Sequence, residues 1–236
     1  MKELLPLFPL EVVLFPGIPM PLHIFEPRYK ELISECLDSK GRFGIVRAKA
    51  EGEVEEAEEV DTEATAEAEE AEEGEEQEQE QALADVGCTA EIVAVTKKYP
   101  DGRMDIVAEG RERFEVLDID DERSFLRADV IFFDDEPGSP TAEEIAHAVK
   151  LHGEILTIAG AKQSLPEELR QVSFHLAGSL PLDLDFKQAL LEMRSEAKRI
   201  QAVITAFEAI LPKLRRTVQL RQRAGGNGHA GGSGSH

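Results

Sequence analysis

Residues 51 to 80 contain 17 Asp and Glu and not one Lys or Arg. The stretch is mostly Glu, Ala, Gln and Gly, with no aromatic residue. It has too little apolar surface to offset the entropy lost on ordering its chain. Residues 49–83 therefore read as a disordered acidic insertion, and the fold must be assembled from the segments on either side. The insertion also accounts for most of the charge. The 236-residue chain has 48 acidic and 26 basic residues, a net of −22. Without those 17 carboxylates the remainder holds 31 acidic against 26 basic residues. The foldable part is thus near neutral, and its charge does not mark it as a polyanion binder.

The most apolar stretch, Leu4 to Phe25, contains five prolines, with Glu11 and His23 inside it. A membrane-spanning helix needs about 20 mainly apolar residues and internal pairing of its backbone. The prolines argue against both a span and a signal peptide, and no small-residue cleavage site follows. The two cysteines, Cys36 and Cys88, are neither in a C-x-x-C pair nor near a histidine cluster. Their spacing fits a reducing compartment, with one bridge between them left open. The reading is of a soluble cytoplasmic protein.

Either side of the insertion the first half alternates like strands. "LLPLFPL" and "VVLFP" read as short strands, held by their prolines to edges or ends. In "EPRYKELISECLDSKG", Pro27 suits a first helical position and Leu32, Ile33, Cys36 and Leu37 share a face. Gly41 follows the helix end. "RFGIVRA" and "VGCTAEIVAVTKKY" read as strands, and Tyr99-Pro100-Asp101-Gly102 as a turn. "RMDIVAEG", "RFEVLDID" and "FLRADVIFF" follow at hairpin spacing. The second half changes period. Thr141 with Glu144 and Ser164 with Glu167 have capping-box spacing, and Asp185 is placed to cap "FKQALLEMRS". From Glu196 to Arg221 an apolar stripe runs through Ile200, Val203, Ile204, Phe207, Ile210 and Leu211, and Pro212 should kink or divide that helix. The expected organisation is a β domain over 1–135, a helical bundle over 141–222 and a flexible Gly/Ser tail over 224–236.

"LPLFPLEVVLFPGIPMPLHIFEPRYKELI", residues 5–33, resembles the opening of the N-terminal domain of Lon-type proteases. "RFGIV", "VGCTAEI", "DGRMDIVAEGRERFEV" and "SFHLAGSLPLDLDFKQALLEMRSEAKRI" continue the likeness in order. The resemblance implies an α+β fold: a PUA-like, mainly antiparallel β domain followed by a C-terminal helical bundle. It also implies a stand-alone module that recognises unfolded or tagged polypeptides and has no catalytic residues, metal or cofactor. No G-x-x-x-x-G-K-[ST] phosphate loop occurs in the sequence.

A groove between β domain and helices is the natural binding place. Phe15, Met20, Phe25 and Tyr29 are the residues expected to line it, with His23, Glu26 and Arg28 beside them. The same four apolar residues would equally suit a core. His23 and Glu26 supply too few ligands for zinc. Glu26 is better read as a cap for the Pro27 helix and Arg28 as a partner for a carboxylate. Ser173 and His175 are two apart, about 200° around a helix, and cannot act as nucleophile and base. The alternative function is RNA binding, as in other PUA-like folds, through Lys97, Lys98, Arg103, Arg111 and Arg113. Asp101, Asp105, Glu109 and Glu112 interleave with these cations and reduce the pull on phosphates. A basic, amphipathic end at Leu214, Arg215, Arg216, Val218, Leu220 and Arg221 reads as a solvated helix terminus.

Because the insertion joins two strands, it should leave and return at the surface. Shortening roughly 37 connecting residues to about 4 lowers loop-closure entropy by about 2 kcal/mol. Urea unfolding of a chain lacking residues 50–82 should therefore give equal or greater stability. A loss above about 2 kcal/mol would instead mean that the segment packs on the domain.

Overall fold

The prolines of the N-terminal stretch constrain which backbone edges can pair, and the sheet is arranged around them. A computed structural model describes residues 4–48, 82–161 and 171–226, with side chains described to Leu220. Residues 49–81 of the acidic insertion, the Ser164–Glu167 capping pair and the last ten residues lie outside the described residues. Strand β1 (Leu5–Leu10) runs parallel to β3 (Phe43–Arg47), from Leu7 opposite Gly44 to Leu10 opposite Arg47. On its other side it pairs with β6 (Arg127–Phe133) only through Leu5 and Pro6. Backbone N–H groups alternate sides along a strand. Leu7 donates towards Leu126 on the β6 side, so Pro9 faces that side beyond the end of the pairing. Pro6 faces β3 one residue before that ladder begins. Thus β1 is an inner strand rather than an edge, and each missing donor falls where no partner strand stands.

The second strand is not the one the apolar run indicates. Val13, Leu14 and Phe15 are buried without forming a strand, and β2 spans Pro19–Ile24. It pairs antiparallel with the first half of β5 (Met104–Asp120) and has no partner on its other side among the described residues. Pro19 and Pro21, at alternate positions, can turn their missing donors to that open edge. "RMDIVAEG" and "RFEVLDID", expected as two strands, are one continuous 17-residue strand. Gly110 between them is a close approach, not a turn. Gly17 donates to its carbonyl at 2.8 Å, and its own N–H reaches Ile18 O at 3.1 Å. A Cβ there would lie 2.1 Å from the Phe15 carbonyl oxygen.

Strand β4 (Val86–Lys98) lies between β3 and β5, and its pairing with β5 shifts register at three places. The second half of β5 pairs with β6, so β1, β3, β4, β5 and β6 close on themselves. Leu7, Val46, Phe114 and Ala128, one from each of four of these strands, form a small core of their own. The Tyr99–Gly102 turn closes the β4–β5 hairpin, with Gly102 at φ 83°.

Helix α1 (Pro27–Ser39) buries Tyr29, Leu32, Ile33 and Cys36 against the sheet, and Leu37 is only partly covered. Lys40, not Gly41, takes the left-handed closing position at φ 53°. Helix α2 (Ala142–Ala159) starts on the expected Thr141–Glu144 capping box. After α3 (Val172–Gly178), the cap of α4 (Leu184–Glu192) is Asp183 rather than Asp185, and the helix stops before "MRS". Helix α5 (Glu196–Gly226) is a single 31-residue element that Pro212 does not divide, and it takes in the first residues assigned to the tail. Pro212 is exposed, where solvent can satisfy the carbonyl it frees. The helices and the sheet share one large core: Phe15 stacks on Phe174 of α3 at 4.8 Å, and Ile200, Val203, Phe207 and Leu211 join the same cluster. Among the described residues, six strands and five helices make an α+β fold, mainly antiparallel with one parallel pair.

The crossing at Gly110 yields a direct test. Gly110→Ala drives a Cβ into backbone rather than into a flexible side chain, so it should cost about 3 kcal/mol, the upper end of overpacking effects. Urea unfolding of the variant measures this, and a change below about 0.5 kcal/mol would contradict the crossing.

Candidate functional site

The residues singled out near the start of the chain separate into two groups. Phe15 and Tyr29 are buried in the core, and Met20 is partly covered by it. His23, Phe25 and Arg28 are exposed, and Glu26 is half-exposed. The seven therefore do not line one groove. The exposed group lies where β2 ends and α1 begins, next to the β4–β5 turn. His23 Nδ1 contacts Asp105 across the β2–β5 ladder at 2.5 Å, and the Tyr99 hydroxyl donates to the same carboxylate at 2.8 Å. The hydrogen bond from His23, then that from Tyr99, holds Asp105 below the ordinary carboxylate range. The His23 ring lies 6.0 Å from that of Phe25, stacked, and meets Tyr99 edge-on at 5.9 Å. Lys97 and Arg103 sit over the Tyr99 ring at 4.3 and 5.0 Å. Phe25, 58% exposed, is the apolar tip of this platform. Glu26 occupies the cap position of α1 but makes no capping bond, because its carboxylate accepts from Arg28 Nε at 2.9 Å.

The basic residues weighed as an RNA surface are dispersed or neutralised. Arg103 is paired with Asp101, and Arg111 with Glu91 and Glu109. Arg113 is not a surface cation. It is 2% exposed and donates to the carbonyls of Leu191 and Met193 and to Asp135.

Arg113 belongs to a buried charge cluster that residue patterns did not reveal. Asp135, just after β6, also accepts from Arg199 Nη1 and Nη2 at 2.7 and 2.5 Å and from Gln171 at 3.0 Å. Arg199, fully buried on α5, bonds Glu196 at 2.7 Å and Met193 O at 2.6 Å, and covers Phe174 at 4.4 Å. Glu196 takes the Ser173 backbone N–H at 2.9 Å and its hydroxyl at 2.6 Å, supplying the N-terminal cap that Gln171 does not give α3. Burial pushes Asp135 up, but its bonds to Arg199 and Gln171 and the two guanidinium charges leave it below the ordinary range. Burial likewise lowers Arg113, while for Arg199 the two carboxylates outweigh burial and raise it. Ser173 is thus tied to Glu196 and Arg199, and the His175 ring packs at Gly17.

Cys36 and Cys88 are free and buried, and loss of hydration pushes their thiols up to about 11 and about 12. They behave as small apolar groups. Among the described residues no His, Cys, Asp and Glu group could hold a metal ion, and no helix is long and apolar enough to cross a membrane. Other exposed large apolar side chains among the described residues are Val93 on β4, Leu117 and Ile119 on β5, Ile131 and Phe132 on β6, and Leu220 near the end of α5.

Residues 4–208 match the family model of the ATP-dependent protease La (LON) substrate-binding domain. A Lon protease of Amoebophilus asiaticus is 26% identical over 220 residues, covering 88% of this chain and 24% of that protein. One of Parabacteroides distasonis is 25% identical over 169 residues, covering 71% and 18%. The chain thus spans about a quarter or less of the curated relatives it matches. A crystal structure of a Lon N-terminal domain protein from Xanthomonas campestris superposes with a TM-score of 0.60 at 21% identity, covering 86% of this chain and 98% of that one. The N-terminal domain of a Mycobacterium avium complex Lon protease gives 0.57 at 12% identity, covering 87% and 98%.

Arg199→Met leaves Asp135 and Glu196 short of their shared cation and should cost about 3–5 kcal/mol in urea unfolding. The pH dependence has a defined sign. Asp135 titrates lower folded than unfolded, so its contribution is present above the ordinary carboxylate value and is lost as pH falls through the folded one. The stability gap between the protein and Asp135→Asn should therefore narrow as pH drops below about 4. A gap that stays constant to low pH would contradict the network.

Proposed function

The chain belongs to the family of Lon substrate-binding domains, and we propose that it is a non-catalytic module that recognises unfolded or tagged polypeptides in the cytoplasm. The family match over residues 4–208 carries the proposal. The surface supports it. Phe25 offers an exposed aromatic tip, with the His23 ring stacked beside it and Arg28 and Lys97 nearby. Aromatic side chains next to cations grip polypeptides through both apolar and polar contacts. The pairing of Arg103 and Arg111 with carboxylates, and the burial of Arg113, favour polypeptide over RNA. The assignment of His23, Phe25 and Arg28 to binding, and of Phe15 and Tyr29 to packing, is part of the proposal.

A small surface of this kind should give micromolar affinity or weaker. A fluorescently labelled unfolded protein and a labelled single-stranded RNA, titrated separately at physiological salt, measure the preference. Phe25→Ser should weaken polypeptide binding about ten-fold, as loss of an aromatic anchor does. Because Phe25 is exposed, the same change should move stability by less than about 0.5 kcal/mol. RNA binding tighter than polypeptide binding would overturn the reading. So would ATP-dependent peptide cleavage by the purified chain.

A further inference from the structure

A cleft of about 290 Å³ opens at the other end of β4 from Phe25, between the strands and α4. Arg47 and Gln188, both almost fully buried, form its floor. Leu83 and Ala189 provide apolar wall, and Asp85, Asp185 and Glu192 provide three carboxylates. Arg47 is engaged with Asp185, and Asp85 and Glu192 are two further carboxylates, both exposed, at the rim. Gln188 is oriented by its amide nitrogen, which donates to Val86 O at 3.0 Å and to Glu192 at 2.9 Å. Its carbonyl Oε1 is buried and meets no donor among the described residues, although the residue is only 7% exposed. A buried acceptor without a donor is costly, and native structures rarely keep one without a reason.

We propose that this cleft takes the side chain of a lysine or arginine from a bound polypeptide. The inference rests on the polypeptide-binding reading and adds a chemical preference to it. A long basic side chain matches both halves of the site. Its aliphatic stem lies along Leu83 and Ala189, and its head brings N–H donors to Asp85, Glu192 and the Gln188 carbonyl. The volume is at the small end for ligand sites, which fits one extended side chain rather than a folded element. An acidic side chain would meet the carboxylates, and an apolar one would leave the Gln188 carbonyl without a donor.

The test uses three labelled peptides of one unfolded sequence, with Arg, Gln or Glu at two central positions, titrated against the full chain by fluorescence anisotropy. The Arg peptide should bind about five-fold tighter than the Gln peptide, in the range of partly exposed charge pairs. The Glu peptide should bind weakest. In the Asp85→Asn, Glu192→Gln double variant the Arg and Gln peptides should come within about two-fold of each other. Glu143→Gln, which removes an exposed carboxylate on α2 outside the cleft, should keep the preference. Filling the cleft with Ala189→Trp should abolish it, and circular dichroism checks that each variant is folded. Equal binding of Arg and Gln peptides would overturn the inference. A preference that survives in the double variant, or is lost in Glu143→Gln, would do the same, because diffuse negative charge would then be its source. Those outcomes leave the polypeptide-binding reading standing. If no peptide and no unfolded protein binds, that reading fails and the inference with it.

Discussion

The interaction on which the arrangement of sheet and helices depends is the cluster of Arg113, Arg199, Asp135 and Glu196. Apolar contact alone would let the helices slide over the sheet, because hydrophobic burial has no direction. Guanidinium bonds do have direction. Arg113 reaches from β5 to the carbonyls of Leu191 and Met193, where the chain leaves α4, and Arg199 reaches from α5 to Met193 and Asp135. Both cations therefore fix the α4–α5 connection and the end of β6 at once. Taking such groups out of water is expensive, and a well-packed apolar set can equal their stability. Their value lies in register: one geometry makes all of these bonds, and a displaced helix would keep few.

That register places the candidate surfaces. With α4 held against the β3–β4 end of the sheet, Gln188 reaches Val86 O and Asp185 reaches Arg47. The walls of the acidic cleft thus come from both sides of the junction. The Phe25 platform depends on different contacts: the β2–β5 ladder, and Pro27, which starts α1 immediately after it. Each place sits at the margin of a rigid layer, where side chains can be exposed without loosening the core.

Local rules made much of this legible. The Thr141–Glu144 box, Pro27 at the start of α1 and the Tyr99–Gly102 turn all hold, because each depends on residues within one turn of chain. Rules depending on distant partners did not transfer. Gly110 reads as a break between hairpin strands, yet it lies in mid-strand because the Phe15–Ile18 backbone crosses it. Asp185 resembles a cap, but Arg47, far away in sequence, takes it and leaves Asp183 to cap. Arg113 looks like one cation in a mixed-charge strand, and nothing near it in sequence indicates Asp135 or Leu191. The candidate site was half legible for the same reason. Apolar character picked out Phe15, Phe25 and Tyr29 alike, but only the tertiary packing decides that Phe174 and Phe8 cover two of them and leave Phe25 outside.

The long acidic interruption is compatible with so interlocked a fold because of where its ends are fixed. Ala48 and Leu83 form an antiparallel bridge, and Ala84 donates to Arg47 O at 2.9 Å. The bridge shows that Leu83 belongs to the sheet and not to the insertion. The β3–β4 pairing is therefore pinned at the point of departure, and the entropy of closing a connection grows only as the logarithm of its length. Lengthening it shifts no register, since Gly44 opposite Thr89 and Ile45 opposite Cys88 are set by burial and by the close packing around Phe114. The same pinning puts Leu83 and Asp85 in the wall of the acidic cleft. The residues that return the chain to the sheet thus also shape the surface beside it.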